Sequence, residues 1–320
     1  MDAVLGIDIA KHKFNVTLLF PTGVRRRKAC ANTATGFAEL AAWLQRHGAR
    51  RVHASLEATG TYGEALATVL YDAGHLVSVL NPAIIHHYAK SQLTRAKTDR
   101  VDADLIADYT AKERPAAWTP LPREIRELQA LVRRLDALLV MQTDERNRAQ
   151  AGELTAAVQA SIEAVLIRLG EQIRSVRDHI RHHIDQHPGL RSQRDLLTSI
   201  PGIGDTTAAL LLAELFTKSF ASARQAAAFA GVVPRVRDSG TLAGRRVLCK
   251  VGPGRVRKGL YFPAIAAIRF NPSLQPLARR LRGAGKPPLL IIGAAMRKLI
   301  HLAFGVLKSG RAYDSSLAGA

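Results

Sequence analysis

Four carboxylates stand where they could hold metal ions. Asp8 lies in Gly6-Ile7-Asp8-Ile9-Ala10-Lys11, and Glu57 in Ser55-Leu56-Glu57-Ala58-Thr59-Gly60. Asp99 and Asp102 lie in Thr98-Asp99-Arg100-Val101-Asp102-Ala103-Asp104. On a helix, Asp99 and Asp102 are three apart and point to one face. Asp104 and Asp108 are turned roughly 140° and 180° from Asp99, at about 100° per residue, and fall outside the group. Four converging carboxylates would repel one another unless they hold hard divalent ions, which take oxygen ligands. Two Mg²⁺ ions about 4 Å apart can clamp the attacking and leaving oxygens of a phosphodiester. Taken singly, each residue has a plainer reading. Asp8 can be a strand-end turn residue, Glu57 a surface charge and Asp99 a helix N-cap.

The joint reading requires elements that bring the four together. The apolar run at 4–9, the alternating segment at 14–20, the Arg-bearing segment at 24–32 and the segments at 51–56 and 75–80 predict strands, and the spacing at 35–47, 62–73, 82–90 and 99–113 predicts helices. The order β-β-β-α-β-α-β-α is that of a ribonuclease-H-like α/β domain, in which the first and fourth strands are central neighbours. Asp8 and Glu57 would then be close. Pro115, Pro120 and Pro122 mark a linker. Beyond it, Leu128, Leu131, Leu135, Leu138 and Leu139 recur at three and four, and Ile162, Leu166, Leu169, Ile173, Val176 and Ile180 follow heptad steps. Two long helices can pair as a hairpin within the chain or as a coiled coil between chains. His179, His182, His183 and His187 read as a solvated helix end rather than a metal cluster. The expected organisation is an α/β domain at 1–114, a linker and helical coiled-coil region at 115–187, and a mostly helical basic domain at 188–320.

Composition narrows the partners. Hydrophobic residues make up 47% and charged residues 22% of the 320, so the chain can bury a core and is not a disordered one. No unbroken apolar run approaches the roughly 20 residues that span a bilayer, and the start does not read as a signal peptide. Two cysteines, Cys30 and Cys249, make no disulfide framework, which fits a cytoplasmic protein. The net charge is +20, and residues 188–320 carry 21 basic and five acidic side chains. That imbalance points to nucleic acid. Within it, Ser199-Ile200-Pro201-Gly202-Ile203-Gly204 before a helix reads as a helix-hairpin-helix element, in which Gly202 and Gly204 would let backbone N–H groups approach a DNA phosphate. Its plainer reading is a tight helix–helix turn. Residues 235–258 are rich in Gly and Arg, 289–307 is an apolar helix, and the tail from 309 is expected to fray.

Taken together, these pieces resemble the insertion-sequence one-ten family, the Piv/MooV-like transposases with a DEDD motif, described as bridge-RNA-guided recombinases. The three carboxylate segments carry the resemblance in the first half. In the second half, Pro201-Gly202-Ile203-Gly204, Phe229-Ala230-Gly231-Val232-Val233-Pro234, Asp238-Ser239-Gly240 and Lys258-Gly259-Leu260-Tyr261 carry it. The resemblance implies a RuvC-like N-terminal domain and a serine nucleophile from the C-terminal domain, the position of Ser239. It further implies Mg²⁺ held by Asp8, Glu57, Asp99 and Asp102, and a 5′-phosphoserine link to DNA with a free 3′-hydroxyl. A noncoding guide RNA would pair with donor and target DNA, and two dimers would share composite sites. On this reading Arg235, Arg237, Arg245, Arg246, Arg255, Arg257 and Lys258 would hold DNA, while the run Arg25–Lys28 with Arg95, Lys97 and Arg100 would meet RNA. Without the resemblance, Asp238-Ser239-Gly240 is ordinary turn chemistry.

Three other classes compete. An actin-like ATPase shares the opening Gly-x-Asp strand but needs a second copy of that pattern, and 123–186 reads as helical. A RuvC-like junction resolvase would use the carboxylates with water and leave Ser239 idle. A non-catalytic nucleic-acid-binding protein would not depend on metal.

Overall fold

The first five strands form in segments rich in β-branched and aliphatic residues, and through α4 the order of elements is the one predicted. The computed structural model describes residues 3–58, 62–91, 99–239, 242–249 and 251–316; at 99–101, 235–239 and 242–247 the description is of the backbone. The chain divides into two compact units, Met1–Pro120 and Leu121–Ala320.

The first unit is built on a five-stranded mixed sheet of order β3-β2-β1-β4-β5. Its strands are β1 (Ala3–Ile9), β2 (Lys13–Leu19), β3 (Arg25–Ala31), β4 (Val52–Glu57) and β5 (Leu76–Leu80). The β1–β2 and β2–β3 pairs are antiparallel, and β4 runs parallel to β1 and to β5. Successive side chains face opposite ways. One face carries Leu5, Ile7, Phe14, Val16, Leu18, Ala54 and Leu56, which form a core with Leu40 and Leu44 of α1 (Ala34–Arg46) and Leu66 of α2 (Glu64–Asp72). The other face differs. A row of paired residues, Arg27, Thr17, Gly6, Ser55 and Ser78, crosses all five strands. This row is small at its centre, and α4 (Asp99–Glu113) packs there against β1, β2 and β4. Helix α3 (Pro82–Ser91) packs on α4. The segment after α4 remains part of this unit, with Trp118 N–H bonded to the Val77 carbonyl at 2.6 Å and Ser78 Oγ to that of Ala116 at 2.8 Å.

The second unit is helical apart from one hairpin. Helices α5 (Arg123–Ala149) and α6 (Ala156–Gln186) pack together within the chain, so the heptads serve an intramolecular hairpin. Leu128, Leu135, Leu138, Ile173, Ile180 and Ile184 lie in its seam and join the core of the later helices. Those are α7 (Pro188–Thr198), α8 (Asp205–Glu214), α9 (Ala223–Phe229), α10 (Gly254–Phe270), α11 (Gln275–Gly283) and α12 (Pro288–Ser309). Helix α8 is buried from Thr207 to Ala213, and α10 crosses it at Gly259, where a Cβ would sit 2.1 Å from Leu210 Cδ2. The antiparallel strands β6 (Pro234–Ser239) and β7 (Leu242–Leu248) form the hairpin. Among the described residues, α12 alone is long and apolar enough to cross a membrane by length and composition. Counting unbroken runs passed over it because Arg297 and Lys298 interrupt the pattern. Its Ile291, Ala295, Leu299, Ile300 and Ala303 are buried in the core of this unit. The tail corrects another expectation: Tyr313 docks, its N–H bonded to Ser199 Oγ at 2.8 Å and its hydroxyl to Asn271 Oδ1 at 2.9 Å.

Candidate active site

The pairing of β1 with β4 brings the first two carboxylates together. Ile7 lies opposite Leu56 in this parallel pair, and Asp8 and Glu57 are the next residues on each strand. Neighbouring strands lie about 4.8 Å apart, and both residues point to the face that α4 covers. Gly6 explains how close α4 comes. A Cβ on Gly6 would lie 2.2 Å from the Ala103 carbonyl oxygen and 2.4 Å from the Ala107 nitrogen, so the helix backbone rests directly on the strand. Asp102 precedes Ala103, and Asp8 is two residues beyond Gly6 on the same face. The contact therefore brings the turn of α4 that bears Asp102 onto β1, the strand that carries Asp8. Asp99 is the first residue of α4, one turn earlier.

Asp104 and Asp108 hold α4 in place. Thr17 Oγ1 donates to Asp104 Oδ1 at 2.7 Å, and Arg27 donates to both oxygens of Asp104, at 2.9 and 2.7 Å. Arg25 grips Asp108 in the same two-pronged way, at 3.1 and 2.7 Å. Burial alone would raise the Asp104 carboxyl, but hydrogen bonds from Arg27 and Thr17 and the charges of Arg27 and Arg25 outweigh it and hold the group below the usual carboxylate range. The run Arg25–Lys28, assigned to RNA on the sequence, is thus largely engaged, since Lys28 also lies 3.7 Å from Glu39.

The donor set is all carboxylate, which suits a hard divalent cation rather than a soft one. Ser55 Oγ, opposite Gly6 on the same face, is buried and has no hydrogen-bond partner, an unmet polar atom one row from Asp8 and Glu57. Among the described residues no three His, Cys, Asp or Glu side chains are gathered to hold a metal ion, and the Asp99 side chain lies outside that description. Of the four late histidines, His183 has a structural role across the hairpin, while His179 and His182 are exposed. His183 Nε2 bonds the Glu124 carbonyl at 2.8 Å and so ties α6 to the start of α5, and the His187 ring lies tilted against it with centroids 4.5 Å apart.

Comparison with known proteins places this geometry. Residues 5–154 match a family model described as a transposase with a DEDD motif of the IS110 type, and residues 194–279 match the transposase family of IS116, IS110 and IS902. The pilin gene-inverting protein of Moraxella bovis is 34% identical over 98% of both chains, and that of Moraxella lacunata is 33% identical over the same share. A transposase for the insertion element IS1328 of Yersinia enterocolitica is 26% identical over 60% of this chain and 64% of its own. The chain belongs to the IS110 family of transposases. It is an enzyme of DNA transposition and recombination, and its DEDD-type domain implies use of a divalent metal.

In the second unit of the transposase, Ser239 ends β6 and pairs with Leu242, with a bulge between Arg237 and Ser239. Arg235, Arg237, Arg245 and Arg246 lie on the same two strands, and the side chains of all five lie outside the described set. Arg95 and Lys97 lie outside the described residues, as does the side chain of Arg100. The base of the hairpin is interlocked. Gly252, at φ 113°, would place a Cβ 1.9 Å from the Phe229 carbonyl oxygen, and Gly231, at φ 70°, would place one 2.4 Å from that of Val251. Arg257 bonds the Ala230 and Gly252 carbonyls at 3.2 and 3.0 Å and closes this joint.

Other residues expected at nucleic acid have partners within the fold. Arg255 bonds Asp136 and Glu214, each at 3.1 Å, and Lys258 bonds Asp136 at 3.0 Å, which ties α10 to α5 and α8. Arg133 adds a second cation on Glu214, at 3.1 Å. Gly202 has φ 106°, and a Cβ would sit 2.6 Å from Ala267 Cβ, so glycine there serves packing against α10. Gly204 caps α8 and is open on its Cβ side. The first turn of α8 faces a cavity of about 430 Å³ lined by Arg177, Arg181 and Arg194. Arg194 is already bridged to Asp185 and Asp195.

Proposed function

We propose that the transposase cuts and rejoins donor and target DNA through a phosphoserine link at Ser239, assisted by the carboxylate face of a ribonuclease-H-like first unit. The observation that carries this is the contact of α4 on Gly6, which rests the backbone just after Asp102 on β1 two residues before Asp8. The sheet order β3-β2-β1-β4-β5, with β1 central, supports the fold assignment. Asp8, Glu57, Asp99 and Asp102 would hold divalent metal, Mg²⁺ by the chemistry of the donors. Bound there, the metal would supply charge for the scissile phosphate and lower the barrier to its substitution.

Ser239 supplies the nucleophile. Its Oγ attacks phosphorus, the new Oγ–P bond replaces the bond to the 3′-oxygen, and the hydroxyl proton ends on that oxygen. The DNA then carries a 5′-phosphoserine and a free 3′-hydroxyl. Attack by a 3′-hydroxyl from the other duplex reverses the step, joins donor to target and needs no energy-rich cofactor. The reading includes a noncoding guide RNA that pairs with both DNAs, and an oligomer of two dimers in which carboxylates of one subunit serve the serine of another. The family resemblance of the motifs supports both.

Covalent trapping tests the mechanism. End-labelled donor or target DNA is mixed with protein, Mg²⁺ and the guide RNA, beside Ser239→Ala and Asp102→Ala, and resolved on denaturing gels. Label retained on protein, and lost in both variants, is the expected result. Cleavage without an adduct, indifferent to Ser239→Ala, would replace this mechanism with hydrolysis by a RuvC-like nuclease.

A further inference from the structure

Helix α12 presents a second group of polar side chains that the recombination site does not use. Gly293, Arg297 and His301 are four residues apart and share one face. That face starts at the base of the β6–β7 hairpin, since a Cβ on Gly293 would lie 3.7 Å from Leu248 Cδ1. Arg297 Nε and His301 Nε2 are both buried, and neither has a hydrogen-bond partner. Lys298 adds a cation one residue along, and α9, which packs on α12, contributes Arg224. Burial, and then the charges of Arg297, Lys298 and Arg224, hold the His301 imidazole below its usual range. Among the described residues, none of the four has an ion pair with a carboxylate. The sequence has no acidic residue between Asp238 and Asp314 to supply one.

Three cations and an imidazole therefore crowd one place, with two buried nitrogens unmet. Elsewhere in the same unit, Arg255, Lys258 and Arg133 are answered by Asp136 and Glu214, so the fold matches its structural cations from within. Here the matching group must come from outside. It must be anionic and rich in acceptors, because the buried guanidinium N–H of Arg297 needs an acceptor and the three cations need a counter-charge. A phosphate oxygen meets both demands, and the face leads away from the hairpin that carries Ser239. We propose that Arg224, Arg297, Lys298 and His301 form a cradle for a backbone phosphate of the DNA. The proposal rests on this unit holding DNA, and it is independent of whether Ser239 is the nucleophile.

The test reads binding without chemistry. Full-length protein in EDTA is titrated into a labelled duplex at several salt concentrations, with a single-stranded RNA of equal length in a parallel arm. The double variant R224Q/R297Q is compared with R50Q/R51Q, which removes two exposed cations from the first unit. R224Q/R297Q is expected to weaken duplex binding about tenfold and to lower the slope of log Kd against log salt by about 0.9, the contribution of one phosphate. Its Tm should be unchanged or higher, because like charges have been separated. If it fails to fold, R297K, which keeps the charge but shortens the reach, is expected to give part of the same loss. DNA binding equal to that of the control, or a loss confined to the RNA arm, overturns the proposal. A lower Tm with an unchanged DNA slope would also overturn it, as the mark of a purely structural cluster. The covalent adduct at Ser239 is scored separately, so failure of the serine mechanism leaves this result readable.

Discussion

Gly6→Ala should disable strand transfer while leaving DNA binding by the second unit intact. Its methyl would lie 2.2 Å from the Ala103 carbonyl oxygen, 2.4 Å from the Ala107 nitrogen and 2.9 Å from the Ala107 Cα. All three are backbone atoms, so no side-chain rotation relieves the clash. Contacts of this kind need more than 3 Å, so α4 must retreat by about 1 Å, and overpacking of this sort costs about 1–3 kcal/mol. The retreat carries Asp102 away from Asp8 and stretches the Thr17–Asp104, Arg27–Asp104 and Arg25–Asp108 bonds, which are already near ideal length. A misplacement of about 1 Å at reacting groups costs on the order of 10²-fold in rate. The assay is the rate of adduct formation and of strand exchange, beside thermal unfolding and duplex binding. Gly6→Ala that melts like the parent and reacts within threefold of its rate would refute the claim that this contact positions the carboxylates.

The second unit offers independent checks. Asp136→Asn should flatten the acid limb of unfolding. Burial raises that carboxyl, but bonds and charges from Lys258 and Arg255 outweigh it and depress it. Its contribution is complete above the ordinary carboxylate pKa of about 3.9 and is lost as pH falls through the lower folded value; unfolding midpoints between pH 2 and 6 measure it. Glu214→Gln should destabilise by about 2–4 kcal/mol in denaturant titration, because Arg133 and Arg255 both lean on a carboxylate only 10% exposed. Gly202→Ala should lower stability by at least ~1 kcal/mol, since φ 106° and the 2.6 Å approach to Ala267 both exclude a side chain; an unchanged Tm would contradict it.

Much of the first unit was legible because its signals are local. Short apolar or alternating segments marked its strands, and Thr98-Asp99 before an apolar-periodic segment marked the start of α4, which begins at Asp99. The exclusion of Asp104 and Asp108 from the carboxylate group followed from helix angle alone, and both are bound to arginines of β3. What they bind was hidden, because Arg27 and Arg25 lie 77 and 83 residues away in sequence. Gly6 looked like a motif residue, and its physical reason appears only when a helix about a hundred residues later crosses it. The β6–β7 hairpin escaped detection because Pro234, Gly240 and Gly244 interrupt the alternation and arginines fill its strands. Tyr313 escaped for the same reason as the ion pairs: its partners, Ser199 and Asn271, are 114 and 42 residues distant.

The arginines and lysines of the second unit fall into two kinds, and a count of basic residues cannot separate them. Residues 188–320 hold 21 cations and five acids, so most cations there have no carboxylate of their own to meet. Those that do, such as Arg194, Arg255 and Lys258, sit between helices and serve the core, although Arg255 and Lys258 lie in the segment that looks most like a nucleic-acid motif. Arg224, Arg297 and Lys298 sit outside that segment and were passed over, yet they are left without acids beside two buried, unmet nitrogens. A cation with an internal partner already has its charge balanced and gains less by receiving a phosphate. A cation without one gains by receiving it. The second kind is therefore where the phosphate backbone should be sought, and partner accounting, rather than charge density, locates it.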